Sequence, residues 1–204
     1  MKFRSILSVC ILVAGTYVTS AHAQEEQAVK EAVRRIMSAT FEGDERALVA
    51  AVGSIDAAKL EDIRLQLRES RVYLKLTRML MKHFGNDARN VWPEDLDAEF
   101  AADLKRVNRA KVKIDGERAV VIFGEKQEQK TYRCRKMAGE WKAELPESLE
   151  VKGPAVPIPG VPDWKEVTRD AIRRSEETIA RLEKGEFKNA TEARDAFEGR
   201  KQKG

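Results

Sequence analysis

The 204 residues carry 38 Lys+Arg against 34 Asp+Glu, a formal net charge of +4, and 35% of the chain is charged. Opposite charges are interleaved along most of it, as in Arg64, Arg68, Glu69 and Arg71, so a sequence pI near 9.0 does not in itself point to a nucleic-acid partner. The one clustered basic run is Arg200-Lys201-Gln202-Lys203, which reads as a frayed tail.

At the N-terminus, Lys2 and Arg4 precede an apolar stretch from Ile6 to Val18, and Ala21-His22-Ala23 follows. Small residues at alternate positions are what the signal peptidase pocket accepts, and the stretch is shorter than the ~20 apolar residues a membrane-spanning helix needs. Residues 1–23 therefore read as a secretory signal cleaved after Ala23, and the protein as exported to the periplasm or the extracellular space. Its removal takes two cations and no anions, which leaves a net charge of +2. Cys10 leaves with it, so Cys134 stands alone; it reads as a buried small hydrophobe.

The first helix of the remaining chain is expected over 25–41, with Val29, Val33, Ile36, Met37 and Thr40 on one face. Gly43 ends it, and Asp44 caps a short helix over 45–52. A long helical pattern covers 57–84, with a bend expected at Arg71-Val72-Tyr73, where the apolar face drifts. Gly85-Asn86-Asp87 stops it, and a helix over 94–104 follows the Trp92-Pro93 turn. Ala110 to Ile114 then alternates, Asp115-Gly116 is a two-residue hairpin turn, and 119–123 is a second strand. A third strand covers 131–137, Ala138-Gly139 is another tight turn, and 140–145 is a fourth strand with Trp141, Ala143 and Leu145 on one side. Short turns between successive strands dictate an antiparallel meander. Pro146 to Pro162 holds five of the six prolines and reads as a linker over 146–162. Asp163 opens a helix running to about Lys184, and Asn189 with Glu192 caps a last short one.

Helices first and a meander afterwards make the fold class α+β. The expectation is N-terminal helices packed on a curved antiparallel β-meander over 24–145, with a C-terminal helical extension, a hairpin, over 163–204.

The stretch Phe41-Glu42-Gly43-Asp44-Glu45-Arg46-Ala47-Leu48 resembles the nuclear-transport-factor-2-like superfamily, in which a Gly-Asp turn joins the first two helices. Residues 110–121 and Met137-Ala-Gly-Glu-Trp-Lys-Ala143 are similar to that superfamily's terminal strands, as in secreted bacterial members of unknown function. The resemblance spans about residues 25–145. It implies a sheet wrapped around helices as a cone, which holds a small apolar ligand, hosts catalysis, or is filled by side chains.

Residues that carry chemistry are few. His83 is the only histidine left after the signal, and with Asp87 it falls short of the three or four ligands a zinc site needs; no metal and no cofactor are expected. Acid–base catalysis of the ketosteroid-isomerase type would take a pocket carboxylate (Asp87, Asp95, Asp97 or Asp103) facing Tyr73 or Tyr132. Trp92, Trp141, Trp164, Phe100 and Phe123 suit either a ligand pocket or the core. No phosphate loop or nucleophile elbow is present. The sequence thus favours a non-catalytic binding or interaction domain for a small apolar ligand or a protein partner, or a homodimer, with no nucleic acid and no membrane after signal cleavage. The rival is a small lyase- or isomerase-type enzyme, and an envelope-associated scaffold using the C-terminal helices is a third reading.

Overall fold

A computed structural model describes residues 6–53, 55–92, 95–125, 128–146, 149 and 163–200. Most of the proline-rich stretch 146–162 and the end of the basic tail lie outside them. Among the described residues seven helices and four strands follow in the order α1 (Ile6–Glu42), α2 (Glu45–Val52), α3 (Ala57–Phe84), α4 (Asn86–Val91), α5 (Leu96–Asn108), β1 (Lys111–Asp115), β2 (Arg118–Phe123), β3 (Lys130–Met137), β4 (Glu140–Ala143), α6 (Trp164–Glu183) and α7 (Ala190–Glu198). The fold is α+β, with a four-stranded antiparallel sheet in the order β1-β2-β3-β4. The chain forms two compact units. One comprises residues to Arg34 with Arg106–Glu144; the other comprises Arg35–Lys105 with the residues from Leu145 onward.

In the first unit, sheet and helix bury each other. Ala119, Val121 and Phe123 alternate with half-buried Val120 and Ile122, and Cys134, Trp141 and Ala143 extend the same buried face across β3 and β4. Val29, Ala32 and Val33 of α1 are buried in this unit, as are Val107 and Ala110 at the entry to β1. Glu25 of α1 meets Lys136 of β3 at 2.8 Å, and Arg34 donates to the Asn108 side chain at 3.0 Å. Lys136 also lies 5.6 Å from the centre of the Trp141 ring. Val121 has no exposed surface and Trp141 keeps only 6%.

The turns set the register. Asp115 pairs with Arg118, so the first hairpin loop is Gly116-Glu117 rather than the expected Asp115-Gly116. Gly116 has φ +56 while Glu117 stays on the negative side, which is the requirement of a type II′ turn with glycine first. In the last hairpin Met137 pairs with Glu140, and both loop residues, Ala138 (φ +49) and Gly139 (φ +83), are left-handed, as in a type I′ turn.

The second unit is helical. Its main contact sets α3 beside α6, and the ion pairs Asp62–Lys165 (2.6 Å), Arg68–Glu176 (2.9 Å) and Lys75–Glu183 (3.0 Å) advance in the same direction along both helices, so the two run parallel. Leu76, Leu80, Ala88, Trp92, Ile179, Leu182, Phe187, Ala190 and Ala193 form one buried cluster, so α6 and α7 share a core with α3 and α4. Buried Ser175 and Thr178 donate to the Ala171 and Arg174 carbonyls, which satisfies their hydroxyls inside the helix. The expected bend at 71–73 is absent, and α3 is one helix. Val72 and Tyr73 pack against the same cluster that buries Leu76 and Leu80, with Tyr73 beside Trp92 and Phe197. Gly85 (φ +53) does end α3, but α4 starts at once, and α5 continues to Asn108 past the expected Leu104.

Left-handed backbone costs a residue with a Cβ roughly 1–2 kcal/mol, and glycine much less. Ala138→Gly is therefore expected to stabilise the protein by about 1 kcal/mol, read as a higher urea midpoint at unchanged slope. An unchanged or lower midpoint would contradict this hairpin geometry.

Candidate functional site

The residues expected to carry chemistry are spread over both units, and most have structural partners. Asp87 accepts the backbone N–H of Ala190 at 3.1 Å, at the start of α7, and Asp95 accepts that of Ala98, also at 3.1 Å, at the start of α5. Asp97 receives the Arg78 guanidinium, whose hydrogen bond holds its carboxyl below the usual range. Arg78 also binds Glu42 at 3.1 Å and lies 5.9 Å from the Phe41 ring centre, and Phe41 stacks on Phe100. Asp103 lies half-buried on α5. The Tyr73 hydroxyl accepts from the Trp92 indole N–H at 2.8 Å, and Tyr132 stacks on Phe123. Trp164 lies beneath the Lys165 ammonium at 5.7 Å. His83 is exposed in the last turn of α3, next to Phe84. Burial, with the Glu144 charge added, pushes the Cys134 thiol up to about 12. Among the described residues no three His, Cys, Asp or Glu side chains gather as metal ligands.

One carboxylate escaped the sequence reading. Glu69 is half-buried on α3, one turn before Tyr73, and burial alone pushes its carboxyl above the usual range. Its i, i+4 spacing to Tyr73 was visible; its burial depends on packing that local periodicity does not report. An open groove of about 260 Å³ is lined by Glu42, Arg71, Leu74, Lys75, Arg78, Met79 and Lys82, and Glu69 is not part of its lining.

The feature that no linear reading reveals is the outer face of the sheet. Alternation sends Ala119, Val121, Cys134, Trp141 and Ala143 inward, and so sends Lys111, Lys113, Arg118, Arg133, Arg135 and Lys142 outward together. The only anions at outward strand positions are Asp115 and Glu140, and Glu140 pairs with Lys142 at 2.9 Å. In sequence these cations alternate with apolar residues or stand beside acidic ones, so they read as dispersed. The meander folds them into the clustered basic field that the sequence shows only in its tail.

The register makes the clustering costly. Arg118 lies directly across from Arg135, and Arg135 directly across from Lys142. Like charges opposite one another on neighbouring strands destabilise a sheet. Edge strands commonly carry lysine to block edge-to-edge association, which accounts for Lys111, Lys113 and Lys142 on β1 and β4. It does not account for Arg118, Arg133 and Arg135 on the two central strands. Among the described residues Lys111, Lys113, Arg118, Arg133 and Arg135 form no ion pair or hydrogen bond through their side chains. Val120 and Ile122 lie half-buried between the charged rows, and Met137 is 38% exposed at the hairpin end.

Among the described residues no helix is long and apolar enough to cross a membrane. Compared with models of known protein families, with curated proteins and with solved structures, the chain matches none.

Two measurements test these environments. Replacing Arg135 by Gln is expected to stabilise the fold by about 0.5 kcal/mol at low ionic strength, and the gain should shrink in high salt; a loss of stability would mean the guanidinium is a structural contact. Glu69 binds its proton more tightly in the native state than in the unfolded chain, so stability is lost as pH rises past the ordinary value of 4.5. Glu69→Gln should therefore raise the thermal midpoint at neutral pH and leave it unchanged well below pH 4.5; equal shifts at both pH values would rule out a burial effect.

Proposed function

We propose that the chain is an exported, non-catalytic binding domain that engages an anionic partner through the outer face of its sheet. One observation carries the reading: Arg118 and Arg135 lie directly opposite one another on the two central strands and form no ion pair among the described residues, and an anion relieves their repulsion. Asp115 lies across from Arg118 on its other side, and Lys142 already pairs with Glu140. Guanidinium groups suit phosphate and carboxylate because their planar fork donates two parallel hydrogen bonds. Export is supported by Lys2 and Arg4, the apolar run from Ile6 to Val18, and Ala21-His22-Ala23. A homodimer formed through this face is disfavoured, since a second copy would set cations against cations. What supports a relation to the nuclear-transport-factor-2-like superfamily is the first helix laid on a meander whose last strand opens with Glu140-Trp141.

The enzymatic alternative is favoured by Glu69, a carboxylate raised by burial one turn from Tyr73. It would assign proton transfer to Glu69 in place of Asp87, Asp95 or Asp97, which serve as helix caps or as the Arg78 partner.

The binding reading is tested with inorganic polyphosphate and poly-glutamate as probes. The native protein is expected to bind at least one of them with affinity falling steeply as salt rises. The triple variant Arg118→Glu, Arg133→Glu, Arg135→Glu should lose at least about 100-fold. Equal affinity of the folded triple variant for both probes would sink the proposal.

A further inference from the structure

We infer that the anionic partner of the outer sheet face is a phospholipid surface. This rests on the anion-binding reading above and adds the class of partner. The first reason is the layout of charge. The cations occupy all four strands, two each on β1 and β3 and one each on β2 and β4. At ~4.8 Å between strands and ~3.4 Å per residue, they cover an area roughly 14 Å on a side. A linear polyanion follows a line of cations, whereas this face is a plane of them, and a headgroup layer is a plane of phosphates.

The second reason is what the face lacks. Sheets that bind single-stranded nucleic acid present aromatic side chains on which bases stack. The remaining outward positions hold Asp115, Val120, Ile122, Thr131, Met137 and Glu140, none aromatic, and the sheet's aromatic residues Phe123, Tyr132 and Trp141 all belong to the opposite face. The third reason is that the arginines of the face have no internal partners. A site for one protein partner or one small anion locks its arginines through neighbouring hydrogen bonds. Arg118, Arg133 and Arg135 have none among the described residues. Guanidinium groups without internal partners fit a fluid layer of headgroups, which demands charge and no set geometry. Val120 and Ile122 are half-buried between the rows, so the face meets headgroups without a deep apolar wedge.

The sequence-based expectation of no membrane contact after signal cleavage gives way here to a peripheral, electrostatic one. The test is co-sedimentation of the full chain with vesicles of phosphatidylcholine alone and of phosphatidylcholine mixed with phosphatidylglycerol. Three proteins are compared: the native chain, the double variant Arg118→Gln/Arg135→Gln, and a control of equal charge, Arg46→Gln/Arg169→Gln, in the other unit. The apolar run 6–18 is common to all three, so only differences between them report on the sheet. Each basic residue at an anionic surface is worth about fivefold in partitioning, so the double variant should bind the mixed vesicles about 25-fold more weakly, while the control matches the native chain. High salt should abolish the difference, and circular dichroism should show all three folded. Loss of polyphosphate binding in the double variant, with vesicle binding unchanged, would overturn the lipid inference and leave the anion-binding reading standing. Tighter binding to a single-stranded RNA homopolymer than to the mixed vesicles would also overturn it. Insensitivity of both vesicle and polyphosphate binding to the double variant would overturn both.

Discussion

The sheet has one dry side, and from that its other properties follow. Side chains on a strand alternate, so once Val121, Cys134 and Trp141 are buried, the identity of every outward residue is decided as well. A one-residue slip of β3 against β2 would drive Arg133 and Arg135 into the interior. The chain leaves β2 for β3 at Gly124, whose φ is +95 and where a Cβ would fall 2.6 Å from the Glu128 carbonyl oxygen, so that corner is confined to glycine. Gly116 and the Ala138-Gly139 pair fix β1 against β2 and β4 against β3. Removing a buried Trp such as Trp141 costs roughly 3–5 kcal/mol, whereas an exposed ion pair contributes roughly 0–1 kcal/mol. The inner face therefore dominates the energetics, and the repulsion on the outer face is tolerated because the burial opposite is several times larger.

The helical unit solves a different problem. α3 carries Leu67, Leu74, Leu76 and Leu80 buried on more than one side, so it cannot behave as a simple amphipathic rod. Its neighbours share the burial, and its ion pairs with α6 lie on the surface, where they align the two helices more than they hold them together. Gly43 shows how tight the helical packing is. A Cβ there would fall 2.2 Å from the Leu67 carbonyl oxygen, so the turn after α1 is restricted to glycine by crowding as well as by its φ of +64.

Much of this was legible in the sequence because it is local. The caps Asp44, Asp163 and Asn189 accept the N–H groups of Ala47, Lys165 and Glu192 as their positions suggest. The strands follow from period-two alternation and the turns between them. What escaped was non-local. At Arg71-Val72-Tyr73 the continuous α3 packs Tyr73 beside Trp92 and Phe197, which are remote in sequence. Asn86 follows a helix-ending glycine, and six residues of α4 are too few to show a period. The basic face was hidden for the same reason: Arg118 and Arg135 lie 17 positions apart in the chain and side by side in the sheet. A linear charge count treats them as unrelated. Glu69 is the helical counterpart, an ordinary member of a mixed-charge run until its surroundings bury it.

Cys134 lies on the inner face, and its thiol is pushed up to about 12 by burial and by Glu144. Thiolate is the species that attacks disulfides and is captured by oxidants, so at neutral pH the folded protein offers almost none. Wherever the chain meets an oxidant, the hazard therefore belongs to the newly made chain, which exposes this sulfur until β3 is zipped between its neighbours. Rapid closure of the meander then acts as a redox safeguard, and a sequence change that merely delays folding would surface as covalent cross-linking between chains.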